Sequence, residues 1–124
     1  MELIHLLKAI GDETRIRILN VLNYGPLCVC ELEEILTLTQ SNVSRHLNKL
    51  MNVGIVSYYK DAKFVYYYIE KNIINQYPFI EEILETELKK INKLEQDYKN
   101  LVDFKNKGIN CENIIAYKNI KNKL

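Results

Sequence analysis

At 124 residues the chain is short enough for a single domain, and its 48% hydrophobic content suffices for a compact core. The formal net charge is +1, and no apolar run approaches the ~20 residues of a membrane-spanning helix, so a membrane protein is excluded and the cytoplasm is the expected compartment. Three cysteines do not make a disulfide framework, and free thiols in a reducing compartment are the working assumption.

In chain order, apolar residues at 3, 4, 6, 7 and 10 predict a buried helix over Glu2–Ile10, ended by Gly11. Asp12 is a good N-cap for a second helix with Ile16, Ile18, Leu19 and Leu22 inside, stopping near Tyr24-Gly25-Pro26. A third helix is predicted from about Cys28 to Leu36. The polar stretch 37–41 is a tight turn, where Thr39 or Ser41 can cap a fourth helix running through Val43, Leu47 and Leu50 to Gly54. Two amphipathic helices joined by a tight turn, the second polar on its outer face, form a helix-turn-helix pattern. After Gly54 the period changes: 55–59 and 64–69 are rich in β-branched and aromatic residues, which predicts a hairpin around 60–63, although that turn lacks Gly. Such a hairpin is a wing. Pro78 precedes a long helix over about 79–104, with a 4-3 seam at Ile80, Leu84, Glu87, Ile91, Leu94, Tyr98 and Leu101. A seam of that kind is used between paired helices. The expected organisation is a DNA-binding and dimerisation domain over 1–104 and a polar tail over 105–124. The fold class is mainly α with a β-hairpin, a winged helix-turn-helix forming a homodimer through its terminal helices.

Charge is segregated along the chain. Residues 37–71 carry five Lys/Arg against two Asp/Glu, whereas 1–36 carry three against six and 80–103 four against seven. The basic block thus coincides with the helix assigned to DNA contact. A helix entering the major groove needs short polar and amide side chains near its N-terminus. Gln40 and Asn42 can pair with adenine edges, Arg45 with guanine or phosphate, and Ser41 and Ser44 with phosphate; Lys49 lies on the same polar face. Lys60 and Lys63 on the wing add phosphate attraction without bidentate base recognition. The wing tyrosines at 58, 59, 66, 67 and 68 are assigned to hairpin packing rather than base stacking.

Gly11-Asp12-Glu13-Thr14-Arg15-Ile16-Arg17-Ile18-Leu19, Cys28-Val29-Cys30-Glu31-Leu32, Gln40-Ser41-Asn42-Val43-Ser44-Arg45-His46-Leu47 and Val65-Tyr66-Tyr67-Tyr68 occur in the order of four motifs of the ArsR/SmtB family of metal-responsive repressors. Over roughly residues 3–100 the chain resembles that family, and its Cys-Val-Cys pair resembles the arsenic- and cadmium-sensing subset. The resemblance implies DNA contacts by Gln40, Ser41, Ser44, Arg45 and His46. It also implies release from DNA when a thiophilic ion, arsenite or antimonite first, binds Cys28 and Cys30. Relatives often carry several arginines in the wing; here there are only lysines.

Two thiols on one short element suit soft ions, because thiolate is the ligand form and a helix N-terminus favours it. In an ideal helix, residues i and i+2 point about 200° apart. One ion held by both sulfurs is therefore expected to unwind the start of the third helix, which couples binding to loss of DNA affinity. Prototypic arsenic sensors of the family carry a third Cys just after the pair. Here Glu31, Leu32, Glu33 and Glu34 stand there; Cys111 could close the site from the tail, within a subunit or across the dimer, a small cellular thiol could complete the shell, or two sulfurs could suffice. The last helix contains no His, against the family's dimer-interface zinc site.

No Ser/His/Asp constellation, phosphate-cradling Gly loop or thioredoxin-like Cys-x-x-Cys is present, so the chain is not expected to be an enzyme. The expected partners are a second copy of the chain and double-stranded operator DNA with an inverted repeat, with no membrane. No permanent cofactor is expected, and the inducer is arsenite, antimonite or another thiophilic ion. The alternatives keep the fold and make the pair a redox or persulfide switch, or a cadmium or lead sensor.

Overall fold

A computed structural model describes residues 1–123, with side chains described to residue 120. Four helices come first: α1 (Glu2–Ile10), α2 (Glu13–Leu22), α3 (Val29–Leu36) and α4 (Gln40–Asn52). Then follow the antiparallel strands β1 (Val56–Asp61) and β2 (Phe64–Ile69), a short α5 (Lys71–Gln76), α6 (Phe79–Glu82), α7 (Asn92–Asn106) and α8 (Ile114–Lys123). This is a mainly helical winged helix-turn-helix, as expected from the sequence.

Local chemistry sets the boundaries. Asp12 caps α2 by accepting the Arg15 backbone N–H at 3.0 Å, and the same bond holds its carboxyl below the ordinary carboxylate pKa. Thr37 takes a left-handed conformation (φ 55°), which ends α3 and turns the chain toward α4. Of the two candidate caps for α4, Thr39 serves: its Oγ1 accepts from Asn42 N–H at 3.3 Å. Gly54, at φ 81°, supplies the turn from α4 into β1. The hairpin is tighter than its composition suggests. Register pairs Val56 with Ile69 through Asp61 with Phe64, so Lys60 and Asp61 belong to β1, and Ala62 takes the positive φ that Gly would ordinarily supply.

The core is formed by Leu6 and Ile10 of α1, Ile18, Leu19 and Leu22 of α2, Leu32, Ile35 and Leu36 of α3, and Val43, Leu47 and Leu50 of α4. Each such side chain contributes about 1.5–3 kcal/mol by leaving water. Buried polar bonds fix α7 against these helices. The Arg17 guanidinium donates to both Asp97 carboxylate oxygens, at 2.8 and 3.0 Å, and to Leu36 O at 2.8 Å. Asn20 donates to Leu94 O, and Asn100 to Ile35 O.

Two expectations for the C-terminal half differ from the structure. The long helix over 79–104 is interrupted: a wide π-turn (Ile83–Glu87) and a 3-10 turn (Leu88–Lys90) lead to Ile91, which is extended (φ −98°, ψ 117°) and starts α7. The 4-3 seam is broken with it. Ile80, Leu84, Leu94 and Leu101 are buried within their own protomer, while Glu87, Ile91 and Tyr98 are exposed. The four buried positions serve intramolecular packing, and the phase shift at Ile91 keeps the seven from forming one continuous face. The segment beyond residue 104 also folds back: Ile109, Cys111 and Ile114 are buried in the core that α1–α4 begin. Among the described residues no helix is long and apolar enough to cross a membrane.

Candidate nucleic-acid interface and thiol cluster

The outer face of α4 presents Gln40, Ser41, Arg45, Asn48 and Lys49 to solvent, with Asn42 and Ser44 half-buried at its edges. Val43, Leu47 and Leu50 anchor the opposite face. Arg45 donates to Asn42 Oδ1 at 3.1 Å, an i, i+3 pair that holds both groups at the exposed start of the helix. Lys60 and Lys63 are exposed at the tip of the wing.

His46 lies elsewhere. It is buried, with Nδ1 3.1 Å from an Arg15 guanidinium nitrogen, Nε2 3.3 Å from that of Arg45, and Asp12 Oδ2 at 3.8 Å. Burial lowers its pKa, Asp12 raises it, and the neighbouring Arg45, Arg15 and Lys49 lower it further. A neutral imidazole accepts at one nitrogen only, so it serves one guanidinium at a time. Arg15 also donates to the carbonyls of Ala9 and Lys8 at the end of α1. It therefore links α1, α2 and the recognition helix. In the sequence Arg15 stands out only as part of the second-helix motif, and its partners on α1 and α4 are not legible there.

The thiol cluster is built from two distant pieces of chain. Leu27 makes a two-bond bridge with Tyr67 of β2 (3.1 and 2.8 Å), which holds the backbone extended up to Cys28. Cys28 is consequently the N-cap of α3, at φ −91° and ψ 170°, outside the helix rather than in its first turn. The expected unwinding is thus unnecessary: Cys28 Sγ and Cys30 Sγ already lie 3.0 Å apart. Cys111 arrives from the segment between α7 and α8, and the three sulfurs all lie within 4.8 Å of one another. Cys28 and Cys111 are joined as a disulfide across 83 residues, with Cys30 left free. This corrects the assumption that all three cysteines are free thiols; the fold-back that brings Cys111 to Cys28 leaves no periodic signal in the sequence.

Nor does the helix N-terminus win at Cys30. Burial first, and then the charge of Glu31, raise the Cys30 pKa, so the neutral thiol is favoured. Glu31 is 2% exposed. Its Oε1 accepts the Cys28 N–H at 3.0 Å and lies 3.3 Å from Cys111 Sγ, and its Oε2 is 3.5 Å from Lys105 Nζ. Sequence reasoning read Glu31 only as the absence of a third cysteine. An acidic residue three positions after a helix-capping residue was the available signal.

The family model described as bacterial regulatory protein, arsR family, matches residues 12–58, which span α2 to β1. An arsenical resistance operon repressor from Staphylococcus aureus is 32% identical over 74 residues, covering 60% of this chain and 71% of the relative. The chain belongs to the ArsR family. A cadmium resistance regulator (a CadC homolog) of Staphylococcus aureus is 38% identical over 77 residues, 61% of this chain and 64% of that protein, so the match spans less than two thirds of that relative's length. Among solved structures, reduced HlyU from Vibrio cholerae N16961 is 35% identical at a TM-score of 0.58, covering 66% of this chain and 84% of that one. The family is one of bacterial regulatory proteins, and the arsenical resistance relative is an operon repressor.

Proposed function

We propose that the chain is a homodimeric repressor whose reduced form leaves its operator when arsenite or antimonite binds Cys28, Cys30 and Cys111. The observation that carries this reading is the convergence of three sulfurs within 4.8 Å, two of them buried, from one chain. Trivalent arsenic favours three sulfurs, and soft thiolates select soft ions over hard ones. Among the described residues the donor set contains no His, and the buried carboxylate beside it, Glu31, is already engaged by the Cys28 amide and Lys105.

Gln40, Ser41, Asn42, Ser44, Arg45 and Lys49 contact the operator from α4, with Lys60 and Lys63 on adjacent phosphates. His46 acts from behind this face by placing Arg45. A second copy docks on the α1 face, where Leu3, Ile4 and Leu7 are 39, 41 and 42% exposed. Two-fold symmetry then makes the operator an inverted repeat. Ion binding clamps the start of α3 to the segment after α7. Because α3 leads directly into the turn before α4, a clamped state that fits DNA less well is selected by the ion.

The test is anaerobic titration of reduced protein on its own promoter fragment with arsenite, cadmium and zinc, following release by anisotropy. Release by arsenite that is lost in both Cys28→Ser and Cys111→Ser supports the three-sulfur site. Loss in Cys28→Ser alone removes Cys111 from it. A second reading, a redox-responsive repressor, is favoured by the Cys28–Cys111 disulfide with Cys30 Sγ 3.0 Å from Cys28 Sγ. Release by an oxidant, with no response to any ion, selects it; a response to cadmium or lead alone selects a sensor of those ions.

A further inference from the structure

Glu31 sets a buried carboxylate, paired with Lys105, into the wall of the thiol cluster, and its consequence depends on which ion the sulfurs hold. Three thiols and arsenous acid, As(OH)3, condense to a neutral tris-thiolate and three waters. Three thiols and Cd2+ yield a tris-thiolate carrying one negative charge, with three protons released. The first product adds no charge beside Glu31. The second sets an anion against a carboxylate that is 2% exposed and whose Oε1 is 3.3 Å from one of the ligating sulfurs. Like charges in a poorly hydrated site repel strongly. Among the described residues the cation paired with Glu31 is Lys105, whose Nζ is 3.5 Å from Glu31 Oε2 and whose side chain is half exposed.

Glu31 is also poorly placed to relieve this by becoming a fourth donor. Its Oε1 is bonded to the Cys28 amide at 3.0 Å, which holds the N-cap of α3, and its Oε2 is paired with Lys105. Turning it onto an ion would orphan a buried N–H and break the ion pair.

Resting on the three-thiol reading above, we infer that Glu31 is the specificity-determining residue of the cluster: it selects trivalent metalloids, whose tris-thiolates are neutral, against divalent soft cations, whose tris-thiolates are anionic. Lys105 sets how strong that selection is.

The experiment uses reduced full-length protein under anaerobic conditions. Affinities for arsenite and for Cd2+ are read from near-ultraviolet sulfur-to-metal absorption against a competing dithiol, without DNA. Glu31→Gln keeps the shape and a carbonyl oxygen for the Cys28 amide while removing the charge. It is expected to tighten Cd2+ binding about tenfold or more and to leave arsenite within about twofold. Lys105→Gln, at a half-exposed position that does not threaten folding, is expected to weaken Cd2+ severalfold with arsenite again unchanged, and it decides the matter if Glu31→Gln does not fold. Cd2+ binding that falls in Glu31→Gln makes the carboxylate a ligand and overturns the inference. Equal shifts for both ions overturn it too. If Cys28→Ser leaves both affinities intact, the three-thiol reading itself fails and this inference falls with it; intact sulfur dependence with an unaltered arsenite-to-cadmium ratio in both charge variants removes the inference alone.

Discussion

The recognition face and the thiol cluster lie on consecutive helices but are built in opposite ways. The face of α4 is local: Thr39 caps it, Asn42 and Arg45 pair across one turn, and every exposed group falls within ten residues of Gln40. The cluster joins the N-cap of α3 to a residue 83 positions away, with a buried carboxylate between them. A site assembled from one helix follows from periodicity and capping rules. A site that depends on chain fold-back does not, because nothing in the sequence near Cys111 announces that it will be buried. The groups that join the two regions should therefore be the most sensitive to change, and those confined to one region should act there alone.

The largest effect is expected at the joint. Arg17 ties Asp97 of α7 to the end of α3 through Leu36 O, and Asp97 is 3% exposed. Arg17→Ala leaves that carboxylate buried and unpaired, at a cost of about 3–5 kcal/mol in urea unfolding. Combining it with Asp97→Leu should recover much of the loss. If Arg17→Ala costs no more than about 0.5 kcal/mol, as an ordinary surface change does, α7 is not held by this pair.

Within the recognition face, Arg45→Ala should weaken operator binding by about 1–3 kcal/mol, roughly five- to 150-fold, and leave unfolding midpoints where they were. Equal losses of binding and stability would make Arg45 structural and erase the contrast with Arg17. Asp12→Ala is expected to cost about 1 kcal/mol of stability, the usual value of an N-cap. Its effect on DNA affinity should be smaller than that of Arg45→Ala, because Asp12 reaches the face only through Arg15 and His46.

The legibility of each element follows the same division. Helices α1 to α4 and the hairpin were readable because each buries a regular apolar stripe and carries its own cap or turn residue. The 4-3 pattern over residues 80–101 was readable as helix but misleading as a dimer seam: period alone cannot report that Ile91 is extended and shifts the phase. Cys28 and Cys30 were legible as a soft-ion pair, yet their mutual orientation was not, since it depends on Leu27 pairing with Tyr67 some forty residues later. Glu31, Arg15 and Arg17 owe their roles to partners in other elements. His46 lies within the recognition motif but is turned inward, so motif position placed it correctly on α4 without giving its direction.

His46 offers the finest test of whether the recognition face is supported from beneath. Its native pKa is lowered from 6.5 chiefly by burial, with Arg45, Arg15 and Lys49 adding to the effect and Asp12 opposing it. The fold therefore prefers the neutral imidazole. In the unfolded chain His46 binds its proton at the ordinary value, so between that value and the lower native one the unfolded state holds more protons. The resulting stabilisation is present above about pH 6.5 and is lost as the pH falls below it. Urea midpoints at about pH 7.5 and about pH 5.5 should differ more for the native chain than for His46→Gln, which keeps a hydrogen-bonding side chain without the titration. An identical pH dependence in the two proteins would mean that the imidazole is not clamped in its neutral form. Arg45 would then need no support from the interior, and the exposed face of α4 would stand on its local pairs alone.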